Sequence, residues 1–315
     1  MVRSKVLLMT LVAVMLVAAT FVLAEPQQAP AAGQQPAAGG GANQAPPAIR
    51  EIKPGFYVVT GIGGNTSVRV TNDGVAIVDT KNLGEQNYNA LMAQIRSVTQ
   101  QPVRYAFITH VHQDHSGNTA SFKAAGTQVI AHEGLAENLK TYTSAAGKPD
   151  VPSITYARDH VVRLGNVAVE AHHYAAGHTG GDTIVYFPDV KIVAMGDEMV
   201  WPQAPNSDYP NGGSMMGWVR SLNEVQKLDF DTVIPGHGNP MTRDQFLQFK
   251  TKLEVFVDRS ITVARRNVPR AQMFYDIVQT DLGGWNITMP DTRLASFYNE
   301  MRTEAQRLRA LPDGQ

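Results

Sequence analysis

The stretch Thr109–Gly117, "THVHQDHSG", holds three of the chain's nine histidines, with His110, His112, Asp114 and His115 inside six consecutive positions. Imidazole nitrogen and carboxylate oxygen are the ligand atoms that Zn2+ and related divalent ions take from proteins. A regular helix would splay such near neighbours, because only positions three or four apart share a face. A tight loop at the end of a strand can turn several of them to one point, and the apolar run "RYAFI" just before them reads as such a strand.

Three further candidates sit at equivalent places. His178 lies in "AAGHTGGD", Asp197 ends the strand-like "KIVAMGD", and His237 lies in "IPGHG". The flanking glycines allow the close backbone approach and positive φ that a crowded ligand sphere requires. A lone loop histidine is ordinarily solvated or hydrogen-bonded, but seven His and Asp residues past strand ends form a joint metal signature. His132, His160, His172 and His173 fall in or beside ordinary strand patterns and are read as structural. The chain has no cysteine, so no thiolate is available as nucleophile or ligand, and any metal site must be built from His, Asp and Glu.

These ligands need a scaffold, and the chain is long enough to supply one. It has 315 residues, 43% hydrophobic and 17% charged, enough for a sizeable core. The net charge of −1 gives no field toward nucleic acid or anionic membrane. At the N-terminus, basic "MVRSK" and apolar "VLLMTLVAVMLVAATFVLA" read as a signal peptide (1–24) cleaved after Ala24 rather than a retained anchor. Its presence implies a periplasmic or secreted protein with no membrane contact after cleavage. Residues 25–48, rich in Pro, Gln, Ala and Gly, lack the apolar bulk to bury and read as a disordered tether.

From Ile49 strands and helices interleave. "GFYVVTGIGG" and "TSVRVTNDGVAIVDT" predict a β-meander, and "GEQNYNALMAQIRSV" carries Leu91, Ile95 and Val98 at helical spacing. "NTASFKAAG" and "EGLAENLKTYTSA" read as helices around the strand "TQVIAH". After Pro152 the pattern repeats in kind: strands in "DHVVRLGNVAVEAHHY", "DTIVYFP" and "KIVAMGD", a helix in "SMMGWVRSLNEVQKL", a strand in "DTVIPGHG", and a long amphipathic helix over Asp244–Arg265. The tail from 266 to 315 reads as a mostly helical extension with a turn at "LGGW". Two β-rich halves with helices outside predict a four-layer α/β sandwich in one domain over 49–265.

"HVHQDH", followed in order by "GHTGGD", "GD" and "GHG", resembles the metallo-β-lactamase superfamily over about Ile49 to Arg265. The resemblance implies an αββα sandwich with two Zn2+ per chain at one edge. His110, His112 and His178 would hold one metal, Asp114, His115 and His237 the other, and Asp197 would bridge them. A metal-bridged hydroxide would then attack a small-molecule substrate, with Asp114 also placed to accept or return a proton. Asp79, in "VDT", is a candidate to orient a ligand histidine, or else a plain strand-end aspartate.

The β-lactamases proper match poorly in detail. Their best-known subclasses carry Cys where this chain has Asp197, and Lys three residues on, where it has Val200. A bridging Asp resembles esterase-like members instead, so the implied bond is an ester, lactone, thioester or amide, with β-lactams a secondary possibility. An alternative on the same fold is a persulfide-dioxygenase-like enzyme holding one Fe(II) through His110, His178 and Asp197. A binding-only zinc protein would not need Gly-opened, two-metal geometry, and without a basic cluster a nuclease is disfavoured. Trp201 and Tyr209, in "MVWPQAPNSDYPNGGSMMGW", are candidates either to touch substrate or to pack that loop down. "TGIGGNTS" resembles the mobile hairpin that overhangs such sites. The substrate, the oligomeric state and the role of the tail are not set by the sequence.

Overall fold

The structure is a computed structural model that describes residues 45–310. The segment read as a signal peptide and nearly all of the tether lie outside the described residues. Among the described residues, no helix is long and apolar enough to cross a membrane.

The first half builds a seven-stranded sheet: β1 (Ala48–Lys53), β2 (Phe56–Thr60), β3 (Thr66–Thr71) and β4 (Gly74–Val78) as an antiparallel meander. β5 (Val103–Phe107), β6 (Gln128–His132) and β7 (Ile154–Tyr156) then add in parallel, in chain order. α1 (Glu85–Arg96), the single turn α2 (Gln113–Ser116), α3 (Thr119–Ala124) and α4 (Glu133–Thr141) fall between these strands. The second sheet has six strands. β8 (Asp159–Leu164), β9 (Val167–His172), β10 (Ile184–Phe187) and β11 (Ile192–Gly196) run antiparallel, β12 (Thr232–Pro235) joins β11 in parallel, and β13 (Met241–Thr242) closes the edge. α5 (Met215–Val225) precedes β12, and α6 (Arg243–Arg265), α7 (Met273–Asp276) and α8 (Asp291–Arg309) follow β13.

Period-2 alternation sorts side chains into layers. In β4, Ala76 and Val78 face the other sheet with Phe107, Val169, Phe187 and Ala194, whereas Val75 and Ile77 face Leu91, Ile95, Phe122 and Leu135 of the helices. In β11, Ile192 and Ala194 join the inter-sheet core, while Val193 and Met195 meet Trp218, Phe249, Phe256 and Phe297. The order of layers is therefore helix, sheet, sheet, helix, the four-layer arrangement the sequence predicts.

Three strands escape the sequence reading: β1, β7 and β13. β1 is "AIREIK", whose burial alternates weakly, and β7 and β13 have three and two residues. The metal-signature stretch also departs from a plain loop. Asp114 and His115 sit in α2, one helical turn started when the His115 and Ser116 amides donate to the His112 carbonyl at 3.0 and 2.9 Å.

Candidate metal centre

Every candidate ligand follows the C-terminal end of a strand. His110, His112, Asp114 and His115 follow β5, His178 follows β9, Asp197 follows β11 directly, and His237 comes two residues after β12. Because β5 is parallel to β4, and β11 to β12, these ends meet at one edge of the sandwich. The structure brings all seven residues together there. His110, His112, His178 and Asp197 form one group of four potential ligands, and Asp114, His115 and His237 form a second of three.

Hydrogen bonds fix which nitrogen His110, His112, His115 and His178 turn inward. His178 Nδ1 donates to the Asn206 carbonyl at 2.7 Å, which leaves Nε2 as the free lone pair. His115 Nδ1 donates to Asp79 Oδ2 at 2.7 Å. Thr109 Oγ1 donates to the same Asp79 oxygen at 2.8 Å and so accepts from His110 Nδ1 at 3.0 Å. His112 is turned the other way: its Nε2 donates to Asp208 Oδ2 at 2.8 Å, leaving Nδ1 inward. A carboxylate or carbonyl behind a ligand imidazole sets its tautomer and raises its basicity.

The inward atoms stand at ligand-to-ligand distances. His112 Nδ1 lies 3.1 Å from His110 Nε2 and 3.0 Å from His178 Nε2. Asp197 Oδ2 lies 4.0 Å from His110 Nε2 and 3.7 Å from His178 Nε2. In the second group His115 Nε2 and His237 Nε2 are 3.2 Å apart, with Asp114 Oδ2 at 3.6 and 3.2 Å from them. Asp197 Oδ1 is 3.3 Å from His115 Nε2 and 3.6 Å from His237 Nε2, so one carboxylate turns one oxygen to each group. A tetrahedron with metal–nitrogen bonds of about 2.0–2.1 Å has edges of about 3.3–3.4 Å.

Two features show that the cradle fits a cation. Asp197 Oδ1 is buried and makes no hydrogen bond. A buried, unpaired carboxylate oxygen is costly unless a positive charge meets it. The backbone is also shaved back around the donors: a Cβ at Gly236 would lie 2.0 Å from Asp197 Oδ1, and one at Gly64 would lie 2.2 Å from the His115 ring.

Electrostatics divides the rings. Burial, with His115 and His178 close by, holds His110 well below its ordinary pKa, and burial with His112 lowers His178. Burial also opposes charge on His115, but Asp114, Asp197 and Asp79 outweigh it and hold its pKa well above the usual value. Burial is overcome at Asp114 too, where His115 and His237 bring the carboxyl down to about 2. Asp114 and Asp197 are thus ionised and His110 and His178 neutral at neutral pH, the protonation states that metal binding needs, whereas His115 holds a proton that a metal ion would displace.

The other residues singled out in the sequence sort clearly. Asp79 is buried at the strand end and touches both groups through His115 and Thr109. His132, His160, His172 and His173 lie outside both groups: His132 accepts from Gly134 N at the start of α4 and stacks on His173 at 3.6 Å. Trp201 and Tyr209 pack against the second helical layer, with the Tyr209 hydroxyl donating to Glu300 at 2.6 Å and Lys252 Nζ over the Trp201 ring. The hairpin turn is tied down, Gly64 N donating to the Asp114 carbonyl and Lys81 Nζ to the Gly64 carbonyl. Asp208 and Asn206, which hold His112 and His178, carry no sequence signal beyond a polar, Pro-rich loop.

Residues 59–237 match the metallo-beta-lactamase superfamily, and the chain belongs to it. It has the fold of that family and is a hydrolase-like member with His and Asp metal-binding groups. It is 26% identical over 199 residues (62% of this chain) to the 2,4-dinitroanisole O-demethylase subunit alpha of Nocardioides sp. (strain JS1661). That match spans 56% of the relative's length. A metallo-beta-lactamase structure from Pontibacter korlensis superimposes with a TM-score of 0.58 at 21% identity, covering 66% of this chain and 99% of that one. A stereoselective inverting sec-alkylsulfatase structure from Pseudomonas sp. gives a TM-score of 0.62 at 16% identity, covering 85% of this chain and 51% of that one.

Proposed function

We propose that the chain is an exported dinuclear zinc hydrolase that cleaves an ester, lactone, thioester or amide bond of a small molecule. The observation that carries the reading is the Asp197 carboxylate, shared between two complete donor groups and left without a hydrogen bond at Oδ1. A single-metal site would have no use for Asp114, His115 and His237 gathered beside it, with the His115 tautomer already fixed by Asp79. His110, His112, His178 and Asp197 Oδ2 would hold one ion, and Asp114, His115, His237 and Asp197 Oδ1 the other. Such ions supply water whose pKa falls from 15.7 to about 7, and they polarise the substrate oxygen. Asp114, ionised and partly open to solvent, is placed to take up or return a proton at Oδ1, the oxygen not turned to the donor group. Asp79 and Asp208 keep the rings from turning. Export rests on the basic and apolar N-terminal sequence ending at Ala24.

The test is elemental analysis of purified protein, with hydrolysis of an ester, lactone, thioester, amide, β-lactam and alkyl sulfate panel before and after chelation. The sulfate ester joins the panel because a structural neighbour is titled an alkylsulfatase. About two zinc per chain, with hydrolysis lost on chelation and restored by Zn2+, is the expected result. One iron per chain, no hydrolysis, and oxygen uptake with a persulfide would replace the proposal with the dioxygenase reading.

A further inference from the structure

The helix α8 stands about fifty residues past the last candidate ligand, yet it grips the loop that holds two of them. Glu300 accepts from the Tyr209 hydroxyl at 2.6 Å, from Ser214 Oγ, and from the Met215 and Met216 amides at 3.2 Å each. It thereby places an anion at the N-terminus of α5 from a different element, where the first amides have no partner within the helix. One residue before Tyr209 is Asp208, the acceptor for His112 Nε2. Two turns earlier on α8, Arg293 donates to the Asn206 side chain, and the Asn206 carbonyl is the acceptor for His178 Nδ1. Residues seven apart share a helix face, so both grips come from one side of α8.

The segment between the grips is bound closely to the His178 turn. Asp208 N donates to the His178 carbonyl at 2.7 Å, and Ser207 Oγ and Ser214 N both donate to the Gly177 carbonyl at 2.9 Å. Asn211 Nδ2 donates to Asp208 Oδ2 at 2.7 Å and holds that carboxylate toward His112. Among the described residues no hydrogen bond links α8 to the second donor group, whose supports are Asp79 on His115, the Gly64 turn on Asp114 and Asn65 across the His237 loop.

We propose that Glu300 and Arg293 of α8 are positioning residues for the first metal group alone, acting through residues 206–214 on His112 and His178. The C-terminal helices are on this account part of the metal centre's support rather than an appended module. The proposal rests on the two-metal reading for its metal assay, and a measurement on the metal-free protein keeps it testable without that reading.

The experiment compares wild type with Glu300→Gln, Glu300→Ala and Arg293→Ala, and with Arg302→Ala as a control on the same helix. Metal-free protein is titrated with Zn2+ against a chelating dye. In parallel the 15N shifts of the His112 and His178 rings are read in the metal-free state. For Glu300→Ala one of two zinc affinities should fall about 10–100-fold, the usual effect of losing an outer partner of a ligand, while the other holds. Glu300→Gln, which keeps an acceptor, should recover part of the loss, and Arg302→Ala should match wild type. The His112 ring should lose its single Nε2–H tautomer in Glu300→Ala, and the His178 ring its Nδ1–H tautomer in Arg293→Ala. Equal weakening of both zinc sites, or unchanged affinities and ring shifts, overturns the proposal. If wild type binds no zinc, the functional reading fails, and the ring shifts alone decide this inference.

Discussion

Asp79 Oδ2 accepts from two directions, and that makes one carboxylate answer for both metal groups. It takes His115 Nδ1–H directly and reaches His110 through the Thr109 hydroxyl. Asp79→Asn turns one of these oxygens into a donor, which cannot satisfy Thr109 N, Thr109 Oγ1 and His115 Nδ1 together. Both zinc affinities should therefore fall, each about 10–100-fold, measured by chelator competition. Asp208→Asn should weaken one site only, because its carboxylate meets His112 and its amide the His178 carbonyl, both in the first group. If Asp79→Asn spares the first site, the relay through Thr109 is not what holds His110. The sequence displays Asp79 at a strand end, 30 residues before the Thr109 that precedes the "HVHQDH" run, and so its role is legible as an option. Asp208 stands 96 residues from His112, in a loop without periodicity, and only the folded chain puts the two in contact.

At the level of elements, two close fits decide how the site edge is assembled. Gly217 sits in the first turn of α5, and a Cβ there would lie 1.7 Å from the Ala176 carbonyl oxygen. Gly217→Ala gains roughly 1 kcal/mol of helix propensity, yet it drives α5 off the turn that carries His178. Overpacking costs about 1–3 kcal/mol, so the expected outcome is a lower Tm despite the better helix former. A raised Tm would show that the contact gives way freely. Lys81 ties the other side: its buried ammonium donates to the Val59 and Gly64 carbonyls at 2.6 Å each, joining β2 to the hairpin turn. Burial pushes its pKa down to about 7, against the raising effect of Asp79 and Asp114. In the unfolded chain the value is about 10.4. Between those values the unfolded state holds a proton that the folded state has released, so wild-type stability rises with pH across that window. Below about pH 7 both states hold the proton and this contribution is absent. In metal-free protein Lys81→Met should cost about 1–3 kcal/mol near neutral pH, from two orphaned carbonyls. The gap should widen toward pH 10 in urea unfolding, and a gap that narrows would contradict the depressed pKa. The sequence announces the long alternating strands and the helices at 3.6-residue spacing, because apolar period reports burial directly. The two-residue β13 and three-residue β7 are too short for a period to show, and their pairing depends on neighbours distant in the chain.

For the whole molecule, the absence of cysteine leaves the fold to packing with no disulfide to support it. The largest buried cluster is the one the family match only partly reaches: it joins Val193 and Met195 of β11, Trp218 of α5, Phe249 and Phe256 of α6, and Leu294, Phe297 and Met301 of α8. α8 contributes residues spaced by three and four, an apolar stripe on a tail that the sequence shows only as mostly helical, with no sign of which surface it covers. In the structure Phe297 stacks between Phe256 and Phe274, with ring centroids 5.7 and 5.9 Å away, and is wholly buried. The tail thus packs into the helical layer over the second sheet. Phe297→Ala should accordingly destabilise the fold by about 3–5 kcal/mol, the cost of a large aromatic lost from a core that cannot collapse around the gap. Urea unfolding should show a lower midpoint with an unchanged slope, and a single transition seen alike by tryptophan fluorescence and circular dichroism. Trp218 and Trp285 lie in the same cluster, so their fluorescence reports this layer. Two separated transitions, with the first confined to fluorescence and the zinc affinities untouched, would mean that α8 folds on independently and that the site does not depend on it.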